Sequence, residues 1–103
     1  MEIWVLSSVA VYHGTSEIYF GSSIHASERK AYDAMICNIL EDLSEKLAEE
    51  DDPPKNEAEL WEWIMYCDDR DIYLRDTEAV IYIDNTDFMY RIEKYTINWE
   101  VSA

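Results

Sequence analysis

Glycine, proline and cysteine are scarce in this sequence of 103 residues, which contains two of each. Neither glycine belongs to a glycine-rich loop, so the sequence excludes a phosphate-binding P-loop and a dinucleotide-binding fingerprint. Cys37 and Cys67 do not form the paired spacings typical of a zinc site. Both lie in helical patterns, so we expect reduced, buried thiols. The sequence therefore predicts neither a metal nor a cofactor.

Basic residues are also few, because 8 lysines and arginines stand against 23 acidic residues and the formal net charge is −15. A field of this sign repels nucleic acid and anionic membranes and attracts basic partners. We therefore expect no direct nucleic-acid binding and no membrane association. No apolar run approaches the ~20 residues of a membrane span. The opening Met-Glu-Ile-Trp has no basic region of a signal peptide, so a cytoplasmic protein is predicted.

Hydrophobic residues make up 49% of the chain and aromatic residues 14%. Disorder requires low hydrophobicity together with high net charge, so we predict one folded domain over residues 1–103. Runs rich in β-branched and aromatic residues predict strands over residues 2–12 and 17–20. In the turn between them Gly14 can take a positive φ, and Gly21-Ser22-Ser23 is expected to end the second strand.

Two helices are predicted in the middle of the chain. Ser27 is a good N-cap, and apolar residues at helical spacing predict a helix over residues 28–50. Pro53 and Pro54 follow it and cannot continue a helix. Asn56, with a glutamate three residues later, is close to a capping box and predicts a second helix over residues 57–67.

Three further apolar runs, at 72–74, 79–83 and 90–101, indicate strands, with an acidic turn at 84–87 between the last two. Tyr95 and Ile97 have the opposite parity to Tyr90 and Ile92, which predicts a bulge near Glu93-Lys94. The order is ββααββ(β), without alternating βαβ units. It predicts an α+β fold, with an antiparallel sheet of four to five strands and two helices packed on one face.

Groups that could support catalysis are few. His13 or His25 could act as the base for a cysteine nucleophile. Surface histidines and core cysteines are the simpler interpretation, so we predict that the protein is not an enzyme. The cluster Asp68-Asp69-x-Asp71 does not match a calcium-binding EF-hand loop, because the required glycine and glutamate are missing from the sixth and twelfth positions.

Acidic residues concentrate in residues 41–71, which hold 13 acidic and 3 basic side chains. On a continuous helix four of them form a ridge, with neighbours about 5–6 Å apart: Asp42, Glu45, Glu49 and Asp52. Negative charges near a helix C-terminus oppose the helix dipole, so selection for helix stability alone would not place these carboxylates there. We interpret the ridge as a surface that fits a Lys/Arg-lined groove built for a phosphate backbone. A merely solvated helix face is the alternative.

Aromatic residues next to this segment are a second candidate for binding. Trp61 and Trp63 are two residues apart and point to different sides of a helix. If Trp61 enters the core, Trp63 lies at its edge beside Tyr66, where both can anchor a partner or cover the rim of the core. The predicted partner-binding residues are Glu41, Asp42, Glu45, Glu49, Asp52, Trp63, Tyr66, Asp68, Asp69 and Asp71.

Four features carry a family resemblance: the opening hairpin, the helix from Ser27 with Ala31, the helix Ala58-Glu59-Leu60-Trp61-Glu62-Trp63, and Asp71-Ile72-Tyr73-Leu74. In layout the chain resembles small acidic proteins of phages and mobile elements, among them anti-CRISPR proteins and DNA-mimic inhibitors. The resemblance implies a stoichiometric inhibitor that blocks DNA binding or nuclease recruitment by a CRISPR effector inside the host cell. The alternatives are a self-associating structural or adaptor module and an antitoxin-like partner of another basic protein. The chain could act as a monomer or a homodimer.

Overall fold

The computed structural model describes residues 1–47, 52–67, 72–83 and 85–97. Its elements are β1 (Glu2–Tyr12), β2 (Glu17–His25), α1 (Glu28–Lys46), α2 (Glu57–Tyr66), β3 (Tyr73–Leu74), β4 (Glu78–Ile83) and β5 (Thr86–Thr96). The five strands form one sheet in the order β2-β1-β5-β4-β3, and every neighbouring pair is antiparallel. The predicted α+β class, with a five-stranded antiparallel sheet and two helices, is confirmed. In detail the order is ββααβββ.

A four-residue turn joins β1 to β2. The carbonyl oxygen of Tyr12 accepts a hydrogen bond from the N–H of Ser16 at 2.9 Å. Ser16 itself has the left-handed conformation, with a φ of 60°, and neither glycine has a positive φ. The expectation that Gly14 would supply this conformation is therefore wrong, and a residue with a Cβ takes the left-handed position.

β2 continues past the point at which the sequence predicts its end. Gly21, Ser22 and Ser23 stay in register with β1, and the strand ends only at His25. A Cβ at Gly21 would lie 2.9 Å from the Oγ of Ser8. Gly21 therefore lies where two strands approach closely and not where a strand ends. Glycine inside a strand is often found at such close approaches.

α1 begins as predicted, because the Ser27 side chain accepts a hydrogen bond from the N–H of Lys30. The helix ends at Lys46, and Leu47 is already extended with φ −85° and ψ 130°, so α1 ends before the predicted limit; residues 48–50 lie outside the described residues. The Ser44 hydroxyl donates to the carbonyl oxygen of Glu41 at 2.8 Å. Bonds of this kind offer the backbone an alternative to the helix, and the crowded carboxylates also oppose the dipole there.

α2 begins at the predicted cap. The Asn56 side chain accepts from the N–H of Glu59 at 2.9 Å, and the Glu59 carboxylate accepts from the N–H of Lys55 at 3.0 Å. The helix ends at Tyr66, one residue before the predicted end, and Cys67 is its C-cap. Leu60 lies in one core with the buried side of α1 and with the sheet. The main members of that core are Leu6, Met35, Ile36, Ile39, Leu43, Leu60, Ile81, Phe88, Tyr90 and Ile92.

β5 pairs with β1 without interruption from Glu2 opposite Thr96 to Tyr12 opposite Thr86. The predicted bulge near Glu93-Lys94 is therefore wrong. Tyr90 is buried among the core side chains, whereas Tyr95 lies on the other face of the same regular strand and is exposed. The change in parity arises because β5 carries apolar side chains on both faces. The predicted acidic turn is also shorter, since β5 already begins at Thr86.

The sheet face opposite the core is called the open face below. Pairing places Phe20, Val9, Met89 and Val80 in one row across four strands of this face. Large hydrophobic side chains on it are exposed to solvent: Ile18, Phe20, Ile24, Tyr82, Met89 and Tyr95. Contiguous exposed apolar surface of this kind commonly marks an interaction site.

Candidate functional site

The structure separates the residues that the sequence groups into one partner-binding surface. Glu41 and Glu45 are exposed, one turn apart on α1. Tyr66 is 87% exposed at the end of α2. These three side chains are exposed, and their role in binding a partner stays a prediction. Glu49, Asp68, Asp69 and Asp71 lie outside the described residues.

Asp42 does not belong to an exposed ridge. Its carboxylate accepts a hydrogen bond from the hydroxyl of Tyr90, a core residue of β5. Partial burial raises the pKa of Asp42, the bond from Tyr90 acts in the opposite direction, and the negative charges of Glu45 and Glu41 raise it further. Burial, and then the bond to Asp42, also raise the pKa of Tyr90. Asp42 thus joins α1 to the sheet, and its role in binding a partner stays a prediction.

The predicted ridge also does not continue to Asp52. Because α1 ends at Lys46, a 3.6-residue repeat no longer aligns Asp52 with Glu45. Asp52 is exposed and has a φ of 49° in the left-handed region, which aspartate tolerates better than most residues. Of the four predicted ridge residues, Glu45 is the one that lies exposed on the described part of α1, with Glu41 exposed one turn before it.

The two tryptophans of α2 have the opposite environments to those considered from the sequence. Trp63 is partly buried and packs against the core, whereas Trp61 is 36% exposed. Leu60 occupies the buried position of the helix instead. Trp63 therefore covers the core, and Trp61 is the tryptophan that lies at the surface.

Trp61 lines a cleft of about 630 Å³ between the start of α1, the start of α2 and the turn between β3 and β4. We call it the acidic cleft. Its lining residues are Glu28, Arg29, Tyr32, Glu57, Trp61 and Asp76. Three carboxylates therefore share this cleft with one guanidinium and two aromatic rings. None of the six belongs to the site that the sequence predicts.

A hydrogen bond joins the two helices that line the acidic cleft. The Tyr32 hydroxyl of α1 donates to Oε1 of Glu57 in α2 at 2.7 Å. Burial raises the pKa of Tyr32 to about 12, and the bond to Glu57 contributes in the same direction. The guanidinium of Arg29 is already engaged, because its Nε lies 3.2 Å from Oδ1 of Asp33. Its Cζ lies 5.9 Å from the centroid of the Tyr32 ring.

The chemistry of the acidic cleft suits an organic cation. Carboxylates bind a guanidinium through paired hydrogen bonds, and aromatic faces attract the same group. Sequence reasoning missed this site because Tyr32 and Glu57 are 25 residues apart and meet only in the folded chain. One signal was present: Glu57 belongs to the first turn of the helix capped by Asn56, so its position was predictable even though its neighbour was not.

A second cleft, of about 540 Å³, lies between α1 and the β1–β2 hairpin. In it the Oγ of Ser23 lies 2.7 Å from Nε2 of His25, and Asn38 and Asp42 also line it.

Cys37 is exposed and Cys67 is partly exposed, so the expectation of two buried thiols is wrong. Within residues 1–47, 52–67, 72–83 and 85–97, no group of three or more His, Cys, Asp or Glu side chains is placed to hold a metal ion.

No protein-family model matches the sequence, and no curated protein or solved structure is detectably similar to it. Neither helix in the described part of the chain has the length and apolar character needed to cross a membrane.

Proposed function

We propose that this protein is a non-enzymatic, stoichiometric inhibitor that binds a basic surface of a nucleic-acid-handling complex, as anti-CRISPR and DNA-mimic proteins do. The acidic cleft is the observation that carries the proposal, because three carboxylates and the rings of Tyr32 and Trp61 line it against the single guanidinium of Arg29, which already pairs with Asp33. Binding at this cleft blocks the DNA binding or nuclease recruitment of the partner. The proposal implies that the protein acts in the cytoplasm of the host cell.

The occupant of the cleft in this proposal is an arginine side chain of the partner. Its guanidinium pairs with Glu28 or Asp76 and stacks on Trp61, an arrangement that a lysine ammonium satisfies less well. Arginines that line a groove for a phosphate backbone are suited to such a site, since carboxylate and phosphate offer similar acceptors.

The proposal also takes both helices to cover the same face of the sheet. The exposed Glu41 and Glu45 lie towards the other end of α1 and add to the overall negative charge of the surface. A net charge of −15 increases the rate of encounter with a basic surface. The affinity is therefore expected to fall as salt is added.

A triple variant tests the acidic cleft: Glu28→Gln, Glu57→Gln and Asp76→Asn. These changes keep the shape of the side chains, and the amide oxygen introduced by Glu57→Gln can still accept the hydrogen bond from Tyr32. The readout is DNA binding by a panel of purified CRISPR effectors and other basic nucleic-acid-binding proteins, measured by gel shift against increasing inhibitor. The unmodified protein is expected to abolish DNA binding by one of them at a fixed molar ratio. Roughly tenfold or more of the variant should be needed for the same inhibition, which corresponds to a loss of about 1.4 kcal/mol in binding free energy.

A matched control separates the acidic cleft from net charge. Glu2→Gln, Asp87→Asn and Glu93→Gln also remove three carboxylates, but from strands β1 and β5. The control should retain most of the potency. Equal loss in both variants would show that only total charge matters, and unchanged potency of the cleft variant would refute the proposed site.

A further inference from the structure

β2 forms one edge of the sheet and is exposed along most of its length. Its nine residues contain no proline, lysine or arginine, and their register with β1 is uninterrupted. Proteins commonly protect sheet edges with such residues, with bulges or by making the edge strand short. The other edge, β3, has only two residues. Within the part of the chain that the structure describes, no strand lies beyond β2, so its outer edge is a ready template for another strand.

The hydrogen bonds of β1 show which backbone groups of β2 point outward. Met1 and Ile97 exchange two bonds, from the N–H of Ile97 at 2.7 Å and from the amino group of Met1 at 3.1 Å. The N–H of His13 likewise donates to the carbonyl oxygen of Asn85 at 3.1 Å. Odd-numbered residues of β1 therefore bond towards β5 and even-numbered ones towards β2, since the direction alternates along a strand.

The partners of the even-numbered residues of β1 are the odd-numbered residues of β2, as in the pair Ser8 and Gly21. Even-numbered residues of β2 consequently direct their N–H and C=O groups away from the sheet. These residues are Ile18, Phe20, Ser22 and Ile24. Three of their four side chains are large and apolar, and they are 53%, 78% and 69% exposed at Ile18, Phe20 and Ile24.

We propose that two copies of this chain pair antiparallel through β2, with the twofold axis passing between the two Gly21 residues. In this register every outward-pointing residue of β2 faces another outward-pointing residue. Ile18 lies opposite Ile24 of the second copy, and Phe20 lies opposite Ser22. Each of these pairs can exchange two backbone hydrogen bonds, so two five-stranded sheets become one continuous sheet.

The side chains of β2 are complementary to themselves in this register. On the open face, Ile18, Ile24 and the two Phe20 rings meet across the seam, with the rings on a diagonal of about 7–8 Å that aromatic side chains can bridge. On the other face, Glu17 lies opposite His25 of the second copy, an acidic group opposite a basic one. At the axis the two glycines approach to about 4.5 Å and bring no side chains together.

The complementarity selects this register from its neighbours. A shift of two residues in either direction keeps the backbone bonds in phase but removes both the Ile18–Ile24 pair and the Glu17–His25 pair. β2 also carries only one of the 23 acidic residues, so the seam itself is nearly neutral. A second copy therefore fits this edge better than the basic partner of the acidic cleft does.

Salt distinguishes this self-association from the binding of a basic partner. Each copy carries a net charge of −15, so the two copies repel each other over long distances. Added salt screens this repulsion and should tighten the dimer, whereas it weakens attraction between the acidic cleft and a basic protein. The two proposals can thus fail independently.

Sedimentation velocity of the full chain at increasing concentration and salt tests the dimer, with Phe20→Lys as the disrupting variant. The substitution places two ammonium groups beside the axis, at a position that is exposed in the single chain. The dimer dissociation constant should rise by roughly tenfold or more, which corresponds to about 1.4 kcal/mol. Tyr82→Lys is the matched control, because it makes the same change in charge on the open face of β4, away from the seam. It should leave the dimer unchanged.

Amide hydrogen exchange, followed residue by residue by NMR at low and high protein concentration, tests the register. The amides of Ile18, Phe20, Ser22 and Ile24 should exchange quickly in the dilute protein and gain protection together when it dimerises. The odd-numbered amides of β2 should be protected in both samples. A chain that stays monomeric at millimolar concentration in high salt overturns the proposal. So does a dimer that is unaffected by Phe20→Lys, or one in which the four even-numbered amides remain unprotected.

Discussion

The hydrogen bond between Tyr90 and Asp42 is a polar contact between α1 and the sheet, and Tyr90→Phe removes it without creating a cavity. The tyrosine is a core residue with 3% of its surface exposed, whereas Asp42 is only partly buried. The substitution leaves a carboxylate that is partly withdrawn from water and has lost its donor. We therefore expect α1 to be held less tightly and the folded state to be destabilised.

The expected cost follows from the charge and burial of the two groups. A hydrogen bond to a charged group contributes about 1.5–3 kcal/mol when buried. Water still reaches part of the Asp42 carboxylate and can replace some of the lost bond, so the lower end of the range applies. Tyr90→Phe should reduce the free energy of unfolding by roughly 1–2 kcal/mol.

Urea denaturation of the two proteins, followed by far-UV circular dichroism, measures this difference. Tyr95→Phe is the matched control, because its hydroxyl donates to the Glu93 carboxylate at 2.8 Å with both side chains exposed. The control should leave the midpoint of the transition unchanged. If Tyr90→Phe behaves like the control, the bond to Asp42 does not contribute to stability and the burial argument is wrong.

Three further substitutions test other parts of the fold. Leu43→Ala should cost about 2–5 kcal/mol in the free energy of unfolding, because Leu43 is 1% exposed; a loss under about 0.5 kcal/mol, typical of surface positions, would mean that α1 is oriented differently. Ser16→Gly should raise the melting temperature and stabilise the fold by up to about 1 kcal/mol, since Ser16 has a φ of 60°; a lower melting temperature would contradict this. Burial raises the pKa of Asp42 in the folded protein above its ordinary value, so the folded state loses stability as the pH rises through the folded-state pKa and Asp42 ionises. Asp42→Asn should therefore raise stability at neutral pH and flatten that part of the pH profile in urea melts, and an unchanged profile would contradict the shift.

The helix caps and the first hairpin were predictable because they depend on neighbours in sequence. Ser27 and Asn56 both accept the backbone hydrogen bonds expected of N-caps. The end of β2 was not predictable in the same way. Gly21-Ser22-Ser23 has a low strand propensity, but pairing with β1 overrides it, as tertiary context often does in sheets. The same holds for β5, which pairs regularly with β1 although its apolar residues change from even-numbered to odd-numbered positions along the strand.

The candidate site was less predictable than the fold. The ridge depended on a helix that continued past residue 47, and the helix ends at Lys46. The burial of Asp42 had a signal in the sequence, because its spacing from Met35 and Ile39 places it on the margin of the apolar stripe. For the acidic cleft the sequence indicated only the place of Glu57 in the first turn after Asn56. Its residues come from three separate segments, and only the packing of the chain brings them together.

The position of β5 has a consequence for the order of folding. β5 follows every other described strand in sequence, yet it lies at the centre of the sheet, between β1 and β4. Its pairing with β1 joins residues as far apart as Glu2 and Thr96. During synthesis the β1–β2 hairpin can form early. The free edge of β1 is covered, and the apolar side chains of the hairpin are packed, only when β5 has been made and pairs with β1. Such long-range closure slows folding and leaves strand edges exposed to other chains in the meantime. Substitutions that weaken β5 should therefore lower the yield of folded protein in cells more than they lower its stability once folded.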